Sequence, residues 1–278
     1  MNYVELIIIA LFVFAFYYAY LIKKVDLLIY STLFALIFEN LNVILFNSTH
    51  SGYFYSNEFI LIFKTPLFVI LSWGIIILSS YIISEHLTKN KIKRILLVPL
   101  LAVMIDFAFE ASAVANNLWV WNLSSYNGFL FIPAENFIGW ILVSLAFMIS
   151  YNYLNKEIKF LSIFTSYILF ILLSIITFSL SQIFKLNNLG NFIILFIIVS
   201  SFLIFIFYKQ KNEKIKLKEI YNIIILRLPF YIYPLLYFNK WSYDLVALII
   251  YFLMLIIEIS LYIYLVHVVS INNIKKRK

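Results

Sequence analysis

The chain has 278 residues, 64% of them hydrophobic, 12% charged and none of them Cys, with a mean hydropathy of +1.00. Soluble domains hold about 45–50% apolar residues, so this composition indicates a polytopic membrane protein, and the lack of Cys excludes disulfides, thiolate catalysis and Cys-ligated metal centres. The formal charge of +8 does not imply nucleic-acid binding, because the Lys and Arg residues fall in short runs between apolar segments, as orientation signals do.

Nine apolar runs are long enough to span the ~30 Å hydrocarbon core of a bilayer. They are Tyr3–Ile22, Val25–Phe46, Phe59–Ser84, Arg94–Ala115, Asn136–Leu154, Phe160–Phe184, Asn191–Tyr208, Ile220–Phe238 and Tyr243–Ser270. The first has neither a basic n-region nor a small-residue cleavage site and reads as a retained helix. Pro66 is expected to kink the third run, and Pro229 and Pro234 interrupt the eighth. The expected fold is all-α: a polytopic transmembrane helix bundle of about nine helices. It forms a single integral-membrane domain over 1–278, with a core at about 25–155 that carries the motifs and C-terminal helices at 159–270. No internal repeat is visible.

Every second connection is basic. Lys23 and Lys24 follow run one; Lys89, Lys91, Lys93 and Arg94 follow run three; Lys156 and Lys159 follow run five. Lys209, Lys211, Lys214, Lys216 and Lys218 follow run seven, and Lys275, Lys276, Arg277 and Lys278 close the sequence. The alternate connections carry only Lys64, Lys185 and Lys240. That alternation predicts a multi-pass cell-membrane protein with its N-terminus outside and its C-terminus inside. The lysine-rich connection Lys209–Lys218 reads most simply as an inner-face anchor at acidic lipid headgroups.

The candidate chemistry lies in Ile105–Trp140. Asp106 and Glu110 sit four residues apart inside an apolar run. On a helix this puts both carboxylates on one face, with Cβ atoms roughly 6 Å apart. An ionised acid at a bilayer centre costs about 2.5–3.5 kcal/mol, and intramembrane acids are by default functional candidates. Runs two and four are both read as inside-to-outside. At ~1.5 Å per residue, Glu39 lies about 20 Å and Asp106 about 18 Å from the inner ends of their runs. Three carboxylates therefore share a level in the outer half of the membrane. Asn42 flanks Glu39, and Asn136 stands at the outer mouth of run five, where it could cap a helix or contact a substrate.

Burial disfavours the charged form of a carboxyl group, and a neighbouring carboxylate disfavours it further. A neutral acid can protonate a carbon–carbon double bond, and an ionised neighbour can steady the cation and take a proton from water. Trp119, Trp121 and Trp140 fit either an interfacial aromatic belt or a lid over the acids, and the loop from Trp119 to Tyr126 would cover an outer-leaflet pocket. Trp73, read about 20 Å in from the outer end of run three, could line a channel or pack in the core. Arg227 and Glu258 read as a structural ion pair, or as a second site. Asp244 reads as a solvated helix end. The three His residues form no pair at metal-ligand spacing, and there is neither an Asp-x-x-x-Asp motif nor a Gly-rich phosphate loop.

The stretch also resembles a known family, the integral-membrane carotenoid-biosynthesis family of carotenoid hydratase and bisanhydrobacterioruberin hydratase type. The resemblance rests on Asp106-x-x-x-Glu110, Trp119-x-Trp121, Tyr126 with Gly128, and Pro133-x-x-Asn136-Phe137-x-Gly139-Trp140. Weaker matches are Glu39 with Asn42, and Pro66 followed by Trp73. It spans about half the chain. It implies a cofactor-independent hydratase that adds water to a terminal double bond of a carotenoid or related polyisoprenoid. Asp106, Glu110 and Glu39 would be catalytic, and Asn42, Trp73, Trp119, Trp121, Tyr126, Asn136 and Trp140 would bind substrate. The implied partners are the lipophilic substrate, membrane lipids and other carotenoid-pathway enzymes, with no nucleic acid. A carotenoid cyclase or isomerase would use the same acids. A proton-coupled transporter or a non-catalytic lipid-binding protein would use them differently.

Overall fold

A computed structural model describes residues 2–48, 52–122, 132–184 and 216–277. Eight helices among these residues are long and apolar enough to cross a membrane. The run expected at Asn191–Tyr208 lies outside the described residues. In chain order the helices are α1 (Tyr3–Leu21), α2 (Val25–Phe46), α3 (Leu67–Leu87), α4 (Lys91–Ala115), α5 (Ala134–Tyr153), α6 (Ser162–Phe184) and α7 (Leu217–Leu236). A short α8 (Phe238–Trp241) and a long α9 (Leu245–Arg277) follow. A 3-10 turn, Lys156–Leu161, leads into α6. The protein is a multi-pass membrane protein.

Local chemistry sets where the helices begin and end. Asn2 accepts the Val4 amide while Glu5 reaches back to the Asn2 amide, a capping box that starts α1. Asn90 caps α4 through the Lys93 amide, 3.1 Å away. Asp244 is a correction to the sequence reading: it is buried, and its Oδ1 accepts the Val246 and Ala247 amides at 2.9 and 3.0 Å, capping α9. Helix α4 ends in a Schellman motif. Asn117 takes φ 55°, Leu118 N bonds Ala113 O and Asn117 N bonds Val114 O. This reversal throws the next residues back over the end of α4.

Helices α3 and α4 form the interior. Of their most apolar windows 83% and 89% is buried, against 17% for α6, which lies on the outside of the bundle. Helices α5, α7 and α9 pack against α4, and α1 and α2 pack against α3. Close approach of α2 and α3 depends on Gly74, where a Cβ would lie 2.1 Å from Thr32 Oγ1.

Two short antiparallel pairs cover one end. Strand β1 (Tyr53–Tyr55) pairs with β4 (Trp119–Trp121), with Tyr53 opposite Trp121 and Tyr55 opposite Trp119. Strand β2 (Leu61–Ile62) pairs with β3 (Thr65–Pro66). The apolar run expected to be helical from Phe59 is therefore a hairpin up to Pro66, and α3 begins only at Leu67. Pro66 precedes the helix as its N-cap and does not kink it. The hairpin is tied down by Lys64 N to Asn40 Oδ1 at 2.8 Å and by Ile60 N to Glu5 Oε1 at 2.6 Å.

The first three basic connections meet at the opposite end. Lys24 and Arg94 both bond Glu85, at 2.9 and 3.2 Å, and Lys159 bonds Asp26 at 3.3 Å. Between the two ends lies a buried ion pair. Arg227 Nε and Nη2 bind both oxygens of Glu258, while Nη1 and Nη2 donate to Ser80 and to the Leu101 carbonyl. Tyr231 and Tyr262 also donate to Glu258. This network joins α3, α4, α7 and α9.

Candidate active site

The three acids converge beneath the β1–β4 ladder. Glu39, Asp106 and Glu110 are each no more than 5% exposed, and all three line one cavity of about 220 Å³. Asp106 and Glu110 project from successive turns of α4, close enough for a proton held by one to be shared with the other. Two carboxyl groups in that contact need one proton between them, since both lack a donor when ionised.

Each acid has its own donors. Trp119 Nε1 and Trp121 Nε1 both donate to Glu110 Oε1, each at 2.8 Å. The Schellman reversal after α4 makes this possible by folding β4 back over the helix that carries Glu110. The alternation of a strand then turns residues 119 and 121 to the same face. Asn136 Nδ2 donates to Asp106 Oδ2 at 3.0 Å from the first turn of α5. Its backbone does not cap the helix, a role taken by Pro133.

Glu39 accepts three bonds: from Tyr53 Oη at 2.6 Å, Tyr55 Oη at 2.8 Å and Trp73 Nε1 at 2.6 Å. Burial, and then the charge of Glu39, holds both phenols of β1 well above the ordinary tyrosine range, so they stay protonated as donors. Trp73 is six residues into α3, about 9 Å from its start at ~1.5 Å per residue. It is much shallower than the uninterrupted run suggested. Its ring stacks on Trp140, with centroids 4.0 Å apart and planes 17° apart.

Nine of the ten sequence-derived site residues thus lie around one region; Tyr126 lies outside the described residues. Asn42 is the most remote, lining the second cavity described below and not the one that holds the acids. The indoles of Trp119 and Trp121 point inward to Glu110, which supports the lid over the belt. Sequence reading missed Tyr53 and Tyr55. Their i, i+2 spacing, matching that of Trp119-x-Trp121, was the available signal. It also missed the wall contributed by α7, where Pro229, Phe230, Ile232, Tyr233 and Leu236 line the cavity.

Apart from Ser72, the remaining lining is apolar and aromatic. A second cavity of about 550 Å³ lies beyond the Trp73–Trp140 stack, between α2, α5 and α6. Among the described residues, no group of three His, Asp or Glu side chains is arranged to hold a metal ion. The three acids and their donors can supply and accept protons within a largely aromatic chamber.

The family model described as carotenoid biosynthesis protein matches residues 1–206. No curated protein and no solved structure matches the chain.

Proposed function

Because the chain belongs to the carotenoid biosynthesis protein family, we propose that it is a cofactor-independent hydratase of a terminal double bond in a carotenoid or related polyisoprenoid. The observation that carries this reading is the paired Asp106 and Glu110 on the wall of an apolar chamber, each with donors from another segment.

The donors suggest a division of roles. Hydrogen bonds to a carboxylate favour its charged form. Glu39 has three such donors and Glu110 two, so both suit the ionised role. Asp106 has one amide donor and the neighbouring Glu110, so it suits the proton-bearing role. Asp106 delivers its proton to the less substituted carbon of the double bond, leaving a tertiary cation. Glu39 and the faces of Trp73 and Trp140 lie where positive charge would be steadied. Water adds to the cation, and Glu110 takes the proton that water releases. Transfer from Glu110 to Asp106 restores the starting state. The net change is the addition of one water.

In the same reading the lysine-bearing end faces the cell interior, and the chamber lies toward the outer half of the membrane. A cyclase or isomerase would share the protonation step and end by loss of a proton. A carrier would need the acids to reach both faces, and they cluster at one.

The test is to express the chain in cells that accumulate acyclic carotenoids and to weigh the pigments. A gain of one water per modified end, absent with Asp106→Asn and with Glu110→Gln, is the expected result. Unchanged mass with altered chromatographic retention would replace hydration by cyclisation or isomerisation. Unchanged pigment with a folded protein would sink the reading.

A further inference from the structure

The acid chamber is too small for a long isoprenoid. At about 220 Å³ it falls below the roughly 300–1,000 Å³ of pockets that enclose drug-sized ligands. The second cavity, at about 550 Å³, is not a separate site. Glu39, Tyr53, Trp73, Trp121, Asn136 and Trp140 line both spaces. The two meet at the stacked Trp73 and Trp140, with Asp106 and Glu110 on the first side only. On the second side the walls are Phe38 and Val143 within the bundle and Phe170, Ile171 and Phe178 on α6. Its mouth is rimmed by Leu45, Ile175 and Phe178, which are 56%, 58% and 65% exposed on the lateral, apolar surface of the bundle.

We propose that this second chamber holds the body of the substrate: a long, unbranched-in-outline polyene enters sideways from the bilayer between α2 and α6, crosses the Trp73–Trp140 stack, and presents only its end to Asp106 and Glu110. This rests on the carotenoid-directed reading above. Three features favour a flat conjugated chain there. The lining is aliphatic and aromatic. Stacked indoles at the crossing offer π-faces. Gly139 on α5 leaves the floor of the chamber open, since a Cβ at that position would meet no atom within 4 Å. Occupants with charged heads fit poorly, because among the described residues Glu135 is the only charged side chain on the second side besides the shared Glu39.

A competing path exists. The acid chamber also reaches the bundle surface between α1 and α7, where Ile7 is 52% and Leu236 70% exposed. The test separates the two by blocking the second chamber. The purified full chain in detergent is incubated with an acyclic forty-carbon polyene, and the retained pigment is read by absorbance. Asp106→Asn serves as the parent so that nothing is turned over. Gly139→Phe, and independently Ser174→Trp from the α6 side, fill the second chamber. Gly139→Ala and unfolding temperature control for folding. At least tenfold weaker retention in either folded filling variant, with Gly139→Ala near the parent, is the expected result. Retention undiminished in both folded filling variants would route the polyene past α7 and overturn the inference, leaving the hydratase reading intact. No retention by the parent would overturn both.

Discussion

Tyr53 and Trp121 face each other across the β1–β4 ladder with ring centroids 4.8 Å apart, yet they serve different acids. Tyr53 donates to Glu39 and Trp121 to Glu110. One cross-strand pair therefore sets the position of two carboxyl groups carried by two different helices.

Removing indole donors should weaken the site stepwise. A hydrogen bond to a charged group contributes about 1.5–3 kcal/mol, and about 1.4 kcal/mol is a factor of ten in rate. Trp121→Phe and Trp119→Phe are each expected to lower the rate of product formation by roughly tenfold or more. Because both bonds fall on Glu110 Oε1, the double variant should lose more than either single one. Initial rates in isolated membranes check this. A pair of variants as active as the parent would remove Glu110 orientation from the mechanism.

Asp106 and Glu110 act as one unit in the proposed cycle, so their losses should not add. Asp106→Asn/Glu110→Gln is expected to be no slower than the worse single variant. Product quantified from all three lines decides it; multiplicative losses would mean that the two acids work independently.

The Arg227–Glu258 pair should matter for stability and not for product identity. Removing one partner strands a buried charge, at about 3–5 kcal/mol, whereas replacing both by apolar groups is often neutral. Arg227→Met and Glu258→Met should each lower the unfolding temperature in detergent, and the double variant should recover part of the loss. A double variant less stable than both singles would point to a role for the pair beyond packing.

The lid depends on a close approach at Gly52. A Cβ there would lie 2.0 Å from the Phe46 carbonyl oxygen, so Gly52→Ala must shift β1. Product formation should fall while helical content, read by circular dichroism, holds. Full activity in this variant would show that the lid tolerates displacement.

Alkaline pH should unfold the protein partly through β1. The phenols of Tyr53 and Tyr55 titrate well above the ordinary value in the folded state, and near ~10 once unfolded. The stability they confer is complete below that unfolded value and is lost as pH rises toward the folded one. Tyr53→Phe/Tyr55→Phe should flatten the fall in unfolding temperature above about pH 10. An identical slope in the double variant would refute this.

Much of the site was legible because charge in an apolar run is costly and therefore conspicuous. Asp106 and Glu110 announce a shared helix face, and Glu39 could be matched to them by depth alone. The first three basic connections, those of Lys24, Arg94 and Lys159, do meet at one end of the bundle. Trp73 was set too deep because the hairpin residues Leu61–Pro66 are as apolar as the helix that follows. Composition gave no means of separating strand from helix there. Tyr53 and Tyr55 were hidden among 21 tyrosines, and only the pairing with β4, a long-range contact, gives them a function. The capping role of Asp244 was masked by its place at a helix end, where solvated acids are common.

Helix α7 lies beyond the stretch that the family model matches, 1–206, yet Pro229–Leu236 closes one side of the acid chamber. The acids and the wall opposite them thus reside in separable parts of the sequence. Under the proposed function, a change in α7 would remould the chamber without touching Glu39, Asp106 or Glu110, so the wall could alter which substrate end is admitted while the acids stay as they are.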